Sequence, residues 1–253
     1  MRLSIVDAFT GTPFAGNPAG VVLLDEPAET SWMQSVAAEL RHSETAFVET
    51  SGEGPKPLRW FTPTVEVDLC GHATLAAGHV LGGEQVFTTR GGELRTRAED
   101  GWVSMDFPAD PPRPSEDDVL DALAGATIKS VARGRWDILV QLSDATQVRD
   151  LKPDLDVVAG WDARCFVVTA PGDRDDVDFV SRVFGPAVGV PEDPVTGSAH
   201  CLLAPFWAEK LGRGKLVGEQ ASERGGIVRV QLNGDRVTLA GQAVTVVSGE
   251  LHA

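Results

Sequence analysis

Four short motifs occur twice in this chain of 253 residues, in the same order and at similar spacing. Each copy has a Phe-x-Pro triplet, a four-residue motif ahead of an apolar stretch, an Arg-Gly-Gly motif and a further glycine. The copies are Phe61–Pro63, Cys70–Ala73, Arg90–Gly92 and Gly101, then Phe184–Pro186, Thr196–Ala199, Arg224–Gly226 and Gly234. Four matches in one order predict a duplication into two similar α+β halves. We expect the halves to face each other across a pseudo-twofold axis, with a ligand in the crevice between them.

The stretch FPADPPRPS, residues 107–115, separates the two copies and contains four prolines. Because proline does not continue a helix or a central strand, this stretch is typical of a linker. We therefore predict two domains, residues 1–113 and 114–253, and allow the final strand to pack back on the first half.

Local patterns predict a capping box formed by Ser31 and Gln34, and a helix over Asp175–Phe184.

Charge and cysteine usage narrow the class of protein. The net charge is −15, from 37 acidic and 22 basic residues, and an acidic surface repels nucleic acids. Neither an apolar run long enough to cross a membrane nor a signal peptide is evident, so we expect no membrane partner. Three widely spaced cysteines argue against a disulfide framework and favour a cytoplasmic location.

A glycine begins the apolar helical stretch in each half, Gly71 in the first and Gly197 in the second. Helix N-termini present backbone N–H groups and a partial positive charge, and glycine lets an anion approach closely. The matched pair predicts a site for a small carboxylate. Alternatively, both glycines only allow tight turns.

Three titratable side chains are candidates for proton transfer, and each has a simpler interpretation. Glu44 lies between a predicted helix and a predicted strand, where it could also be a solvated strand end. Asp193 precedes Gly197 and could instead cap the helix. His72 lies in a first helical turn, where the dipole would keep it neutral, or it is a surface cap residue. Ser198 occupies the matching position in the second half.

Several familiar sites are excluded by spacing. Ser198, His200 and Asp193 do not form a hydrolase triad, because no G-x-S-x-G motif is present. Cys70 and His72 do not form a metal site without further ligands at usable spacing. No strand–GxGxxG–helix unit indicates a dinucleotide. We therefore expect neither a metal nor a cofactor.

Four segments carry a family resemblance. They are VDAFTGTPFAGNPAGVV (6–22), SETAFV (43–48), WFTPTVEVDLCGHATLAAGHVL (60–81) and EDPVTGSAHC (192–201). In this order they resemble the PhzF-like family, named for phenazine biosynthesis protein F, which shares the diaminopimelate epimerase fold. The resemblance implies two α+β domains, each a curved mixed β-sheet wrapped around a central helix. It also implies a cofactor-independent, homodimeric enzyme related to biosynthesis.

The resemblance assigns roles residue by residue. It makes Glu44 the catalytic glutamate and gives a supporting role in the pocket to Gly71, His72 and Asp193. Gly197 and Ser198 match the family's second helix N-terminus. The remaining matched position is Asn17, in a G-N-P loop.

Cysteine chemistry distinguishes this chain from related epimerases, which use two cysteines as paired acid and base. Cys70 lies where the first would be, but Thr196 occupies the second place. A two-thiol racemase is therefore disfavoured, and a role for Cys70 as a single helper thiol remains an alternative.

The leading hypothesis is an isomerase that moves a proton at carbon in a small carboxylate-bearing metabolite. Glu44 would be the general acid/base, while Asp193 and His72 would orient the substrate and share the proton. Backbone groups of both helix N-termini would hold the carboxylate or the developing charge. The alternatives are a Cys70-dependent epimerase or racemase, and a non-catalytic protein that binds small acids.

Overall fold

The computed structural model describes residues 1–123 and 125–252, and the chain divides into two compact units. Unit 1 comprises Met1–Asp106 and Ala240–Ala253, and unit 2 comprises Phe107–Leu239. The first boundary, between Asp106 and Phe107, lies at the start of the proline-rich stretch, whereas the sequence predicts it after residue 113. The C-terminal segment groups with unit 1 because strand β17 (Arg236–Glu250) pairs antiparallel with β1 (Arg2–Ala8).

The first part of the chain alternates strands with two helices of 11 residues each. After β1 the elements are β2 (Asn17–Leu24), α1 (Thr30–Leu40), β3 (Glu44–Glu49), β4 (Lys56–Phe61), β5 (Glu66–Val67), α2 (Gly71–Leu81), β6 (Gly83–Thr89), β7 (Gly92–Glu99) and β8 (Trp102–Pro108).

The second part has a similar succession, with two short helices where the first has α1. Before β17 the elements are β9 (Arg113–Pro114), β10 (Ile128–Arg133), β11 (Asp137–Leu142), α3 (Ala145–Asp150), α4 (Leu155–Ala159), β12 (Cys165–Pro171), β13 (Phe179–Gly185), β14 (Val190–Asp193), α5 (Gly197–Leu211), β15 (Lys215–Gln220) and β16 (Gly226–Asn233).

The strands of the two units pair in the same order. In unit 1, β1–β2 is antiparallel, β2–β3 parallel, β3–β4 antiparallel, β4–β6 parallel and β6–β7 antiparallel. In unit 2, β10–β11 is antiparallel, β11–β12 parallel, β12–β13 antiparallel, β13–β15 parallel and β15–β16 antiparallel. A parallel pair needs a long crossover connection, and α2 and α5 lie in the crossovers that join β4 to β6 and β13 to β15.

The repeated motifs fall at equivalent places in these two successions. The Arg-Gly-Gly motifs form the β6–β7 and β15–β16 connections. Gly101 and Gly234 lie in the next connections with φ of 77° and 64°, a backbone conformation that favours glycine. The motifs before the apolar stretches form the N-terminal ends of α2 and α5.

In unit 1 the sheet buries side chains on both faces. Alternate residues of β2 and β3 pack with Ala73, Ala76 and Ala77 of α2. The residues between them pack with Met33, Val36 and Ala37 of α1. This division follows from the period of two along a strand. Helix α2 is buried along most of its length, from His72 to Gly78.

Unit 2 also buries side chains on both faces of its strands. One face packs in a cluster with α3 and α4. On α5, Trp207 stacks on Phe179 of β13 with ring centroids 5.9 Å apart and donates a hydrogen bond from Nε1 to Oγ1 of Thr169 in β12. Each unit thus has a mixed, sheet-rich core.

Two local predictions are wrong. The predicted helix Asp175–Phe184 is the strand β13, which pairs with β12, β14 and β15. Because β13 is buried on both faces, its sequence lacks the alternation of a half-exposed strand, and Val180, Val183 and Phe184 follow a helical spacing. The predicted capping box is absent because α1 begins at Thr30 with Glu29 as its N-cap, and the side chain of Gln34 donates to the carbonyl oxygen of Thr62.

No described helix is both long and apolar enough to span a lipid bilayer.

Candidate active site

The register of β3 determines where Glu44 points. Glu44 is the first residue of β3 and lies opposite Ala19 of β2. Because alternate side chains share a face, Glu44 lies on the same side as Ala46 and Val48, which pack in the cluster that includes α2. The Glu44 side chain is 20% exposed. The strand therefore holds the Glu44 carboxylate at the edge of the face of the sheet that packs against α2, which we call the α2 face.

The N-terminus of α2 lies on that same side of the sheet. Cys70 is the N-cap in an extended conformation, and the first turn reads Gly-His-Ala. The carbonyl oxygen of Cys70 accepts bonds from the hydroxyl of Thr74 at 2.5 Å and from its N–H at 3.2 Å. Because a peptide unit is planar, holding this carbonyl toward the helix points the N–H of Gly71 out of the N-terminus. This end of α2 is suited to bind negative charge.

Glu44, Cys70 and His72 form one cluster at this end of α2. The Nε2 atom of His72 lies 3.4 Å from Oε2 of Glu44, and its Nδ1 lies 3.5 Å from Sγ of Cys70. Nε2 has no aligned hydrogen-bond partner among the described residues, so the contact with Glu44 is one of proximity. The cluster brings an acid/base carboxylate, an imidazole and a thiol together.

His72 is neutral in this environment. Burial, followed by the repulsion of the neighbouring His42, lowers the pKa of His72 to about 3. Its ring then carries one N–H donor and one acceptor nitrogen at neutral pH. A neutral imidazole can hold a substrate oxygen or pass a proton on without adding a fixed charge.

Asn17 lies on the same face of the sheet. It is the first residue of β2, is fully buried and is two residues before Ala19, which pairs with Glu44. The preceding Gly16 has φ of +65°, and a Cβ there would lie 2.2 Å from the carbonyl oxygen of Ala8. Only glycine fits at this position, which explains the glycine of the G-N-P loop.

In unit 2, Asp193 is fixed by two residues that the sequence did not identify as site residues. The hydroxyl of Thr196 donates to Oδ2 of Asp193 at 2.5 Å. The side chain of Gln220 donates to the backbone oxygen of Asp193 at 2.7 Å and accepts from the N–H of Thr196 at 2.8 Å. Asp193 is the last residue of β14, and the N-cap of α5 is Thr196.

Gly197 begins α5, as expected, and the half-buried Ser198 follows in its first turn. His200 is a further residue near this site, which the sequence analysis considered only as a member of the rejected hydrolase triad. It is fully buried, and its Nδ1–H donates to the carbonyl oxygen of Thr196 at 2.9 Å. Thr74 makes the corresponding bond to the N-cap carbonyl in α2. The only sequence signal for this parallel is the shared spacing of four residues after Cys70 and Thr196.

The predicted site residues thus fall into two groups. Unit 1 holds Glu44, His72, Cys70, Gly71 and Asn17, and the first three are in mutual proximity. Unit 2 holds the remaining three predicted residues, Asp193, Gly197 and Ser198. Thiol, imidazole and carboxylate donors are also metal ligands, so the unit 1 cluster supplies the third ligand that Cys70 and His72 lacked in the sequence.

Comparison with known proteins identifies the family. The PhzC-PhzF family, described as phenazine biosynthesis-like protein, matches residues 6–249. A relative from Halalkalibacterium halodurans, named an uncharacterized isomerase, is 44% identical over 98% of this chain and 97% of its own. The crystal structure of a PhzF family protein from Enterococcus faecalis is 37% identical, with a TM-score of 0.94, over 100% of this chain and 99% of that one.

A more distant structure shares the fold alone. A hydroxyproline epimerase from Agrobacterium vitis, solved with trans-4-OH-L-proline, aligns with a TM-score of 0.60 at 10% identity, over 98% of this chain and 91% of that one. The sheet-rich architecture is therefore that of PhzF proteins and of proline epimerase-like neighbours. The family match extends over nearly the whole sequence. This chain belongs to the PhzC-PhzF family of phenazine biosynthesis-like proteins.

Proposed function

We propose that this protein is a cofactor-independent isomerase that moves a proton at a carbon atom of a small carboxylate-bearing metabolite. The observation that carries the proposal is the position of Glu44, 3.4 Å from a neutral, buried His72 at the N-terminus of α2. Isomerase names among the relatives support the reaction class. The substrate class is inferred from the helix N-terminus, which favours an anion.

In this mechanism the ionised carboxylate of Glu44 removes a proton from a carbon next to an electron-withdrawing group of the substrate. The C–H bond breaks, its electron pair delocalises onto the substrate, and Glu44 becomes protonated. Glu44 then returns the proton to a different carbon on the same face. The charge that develops is stabilised by N–H groups of Gly71 and His72 at the start of α2, because preorganised donors act most strongly on a forming charge.

Asp193 and the first turn of α5 have supporting roles in this proposal. Asp193 orients the substrate, and the backbone at Gly197 and Ser198 binds its carboxylate. The hydrogen bonds from Thr196 and Gln220 support the assignment for Asp193, because they fix its position. Asn17 contributes by shaping the α2 face of unit 1.

A second candidate function is an epimerase or racemase that uses Cys70. The observation that favours it is the distance of 3.5 Å from Sγ of Cys70 to Nδ1 of His72. Inverting a carbon centre needs an acid and a base on opposite faces of the substrate. A thiol activated by a helix N-terminus could supply one of them, and a group other than a thiol the other.

The family resemblance supports three finer proposals. The two units are duplicated halves with the curved, helix-centred sheets of the diaminopimelate epimerase fold, which their matching strand order favours. The protein acts as a homodimer, which light scattering can test. It works in the cytoplasm, which fractionation of cells can test.

A thermal-shift screen of small organic and amino acids identifies the substrate class. A ligand at 100 times its Kd stabilises the native state by about 2.7 kcal/mol, which is readily measured. Compounds that raise the melting temperature are then offered as substrates to the wild type and to Glu44→Gln. Binding by both proteins with turnover by the wild type alone supports the proposal. Equal turnover by both excludes Glu44 from the mechanism.

A further inference from the structure

The three side chains at the N-terminus of α2 are also a set of metal ligands. The Sγ of Cys70, a ring nitrogen of His72 and a carboxylate oxygen of Glu44 all lie within 4.8 Å of one another. In the described part of the chain, no other three His, Cys, Asp or Glu side chains are gathered in this way. One ion per chain is therefore the expected capacity.

The spacing suits a small four-coordinate ion. Zinc binds sulfur at about 2.3 Å and nitrogen or oxygen at about 2.0–2.2 Å, which places tetrahedral ligand atoms about 3.3–3.7 Å apart. Sγ of Cys70 and Nδ1 of His72 are 3.5 Å apart. Oε2 of Glu44 is 3.4 Å from Nε2, the other nitrogen of the same ring, so an ion bound to Nδ1 gains its third bond only when the partly exposed Glu44 side chain rotates toward Nδ1.

We infer that Cys70, His72 and Glu44 bind one Zn²⁺ or similar thiophilic divalent ion, and that this ion inhibits the enzyme. On binding, the thiol of Cys70 releases its proton to solvent, and no electron transfer takes place. The ion engages the Glu44 carboxylate, which then cannot accept a proton from carbon. The inhibition rests on the proposed function, whereas the binding does not.

The donor set defines which ions bind. Thiolate and imidazole ligands select Zn²⁺, Co²⁺ and Cd²⁺, whereas Mg²⁺ and Ca²⁺ require oxygen ligands. The equivalent end of α5 has Thr196 and Ser198 in place of Cys70 and His72, and its own His200 and Cys201 are not part of any described cluster of three metal-ligating side chains. The two buried helices of one chain thus differ in their capacity for metal.

Titration of the chelator-treated, reduced protein with Co²⁺ tests the binding. A thiolate bound to Co²⁺ gives a near-ultraviolet charge-transfer band, and a four-coordinate ion gives visible ligand-field bands. We expect both bands to saturate at one Co²⁺ per chain and Zn²⁺ to remove them, while Mg²⁺ and Ca²⁺ have no effect. Failure of the wild type to develop a charge-transfer band overturns the inference.

Variants identify the ligands. Cys70→Ser should abolish the charge-transfer band, and Glu44→Gln should keep the band but weaken Co²⁺ binding by about tenfold or more. Cys201→Ser, which changes another buried cysteine, should behave as the wild type. A band that survives in Cys70→Ser and disappears in Cys201→Ser contradicts the assignment. Circular dichroism confirms that each variant is folded.

Activity separates this inference from the proposed function. Zn²⁺ should inhibit wild-type turnover at the concentrations that displace Co²⁺, and a chelator should restore it. Stoichiometric Co²⁺ binding by a protein without isomerase activity would refute the proposed function and leave the metal site standing. Turnover that persists with the site saturated by Zn²⁺ would refute the inhibition.

Discussion

The Nε2 atom of His72 lies 3.4 Å from Oε2 of Glu44, although the two residues belong to different elements, the first turn of α2 and the first residue of β3. Burial keeps the imidazole neutral by lowering its pKa to about 3. The pair therefore joins a carboxyl group to a neutral ring, which is an arrangement for moving a proton.

The first prediction concerns Glu44. Glu44→Gln should reduce turnover by roughly 10²–10⁴-fold or more, because Gln keeps the size and hydrogen bonding but cannot carry a proton. Steady-state kinetics measure the loss of turnover, and urea unfolding should give a free energy of unfolding close to that of the wild type. The matched control is Glu49→Gln at the other end of β3, which should remain active. Full activity of Glu44→Gln would remove this residue from the mechanism.

The second prediction is that removing the Cys70 thiol reduces turnover less than removing the Glu44 carboxylate. Cys70→Ser should lose well under the roughly 10²-fold that a general acid/base contributes, because the equivalent N-cap of α5 is Thr196. Cys201→Ser, inside α5, is the control for removing a buried sulfur. If Cys70→Ser is as inactive as Glu44→Gln, the Cys70-dependent epimerase becomes the better hypothesis.

The third prediction is that no metal or cofactor is needed for turnover. Dialysis against a strong chelator should leave activity unchanged, or raise it where Zn²⁺ had been bound. Metal analysis and the absorption spectrum of the dialysed protein accompany the assay. Activity that disappears on dialysis and returns with a stoichiometric metal would show a resident cofactor.

The fourth prediction concerns His200 and stability toward acid. Burial lowers the pKa of His200 from 6.5 to about 4, so between these values the unfolded state binds a proton that the folded state does not. Stability therefore falls as the pH drops from about 6.5 to about 4, by on the order of 2–3 kcal/mol from this group. His200→Asn keeps a donor for the carbonyl of Thr196 but does not titrate.

Urea unfolding of both proteins at pH 7 and pH 4.5 isolates this contribution. The wild type should lose more stability between the two pH values than His200→Asn loses. Other titrating groups are common to both proteins and cancel in the comparison. Equal losses would mean that His200 is protonated in the folded state, in disagreement with its buried position.

The sequence predicted the parts of the site that depend on local pattern. A glycine ahead of an apolar stretch predicts that buried helices begin at Gly71 and Gly197, and both helices begin there. Strand β3 was also predicted, and its period of two directs Glu44 to the α2 face. These features need only the residues adjacent in the chain.

Long-range pairing explains what the sequence could not show. The proximity of Glu44 to His72 depends on the packing of α2 against the sheet, and that of Gln220 to Asp193 depends on the pairing of β15 with β13. No local pattern reports either relationship. The prediction of a helix at β13 is wrong for the same reason, since burial on both faces is a property of the whole sheet.

The most direct test follows hydrogen at the reacting carbon. A compound that the wild type turns over is labelled with deuterium at the carbon from which the proton is removed, and the product is analysed by NMR. Proton transfer through Glu44 predicts that the label leaves this carbon, to solvent or to another carbon of the product. The unlabelled compound turned over in D₂O should gain solvent deuterium where the Glu44 proton exchanges with water. Complete retention of the label at its original carbon would contradict proton transfer.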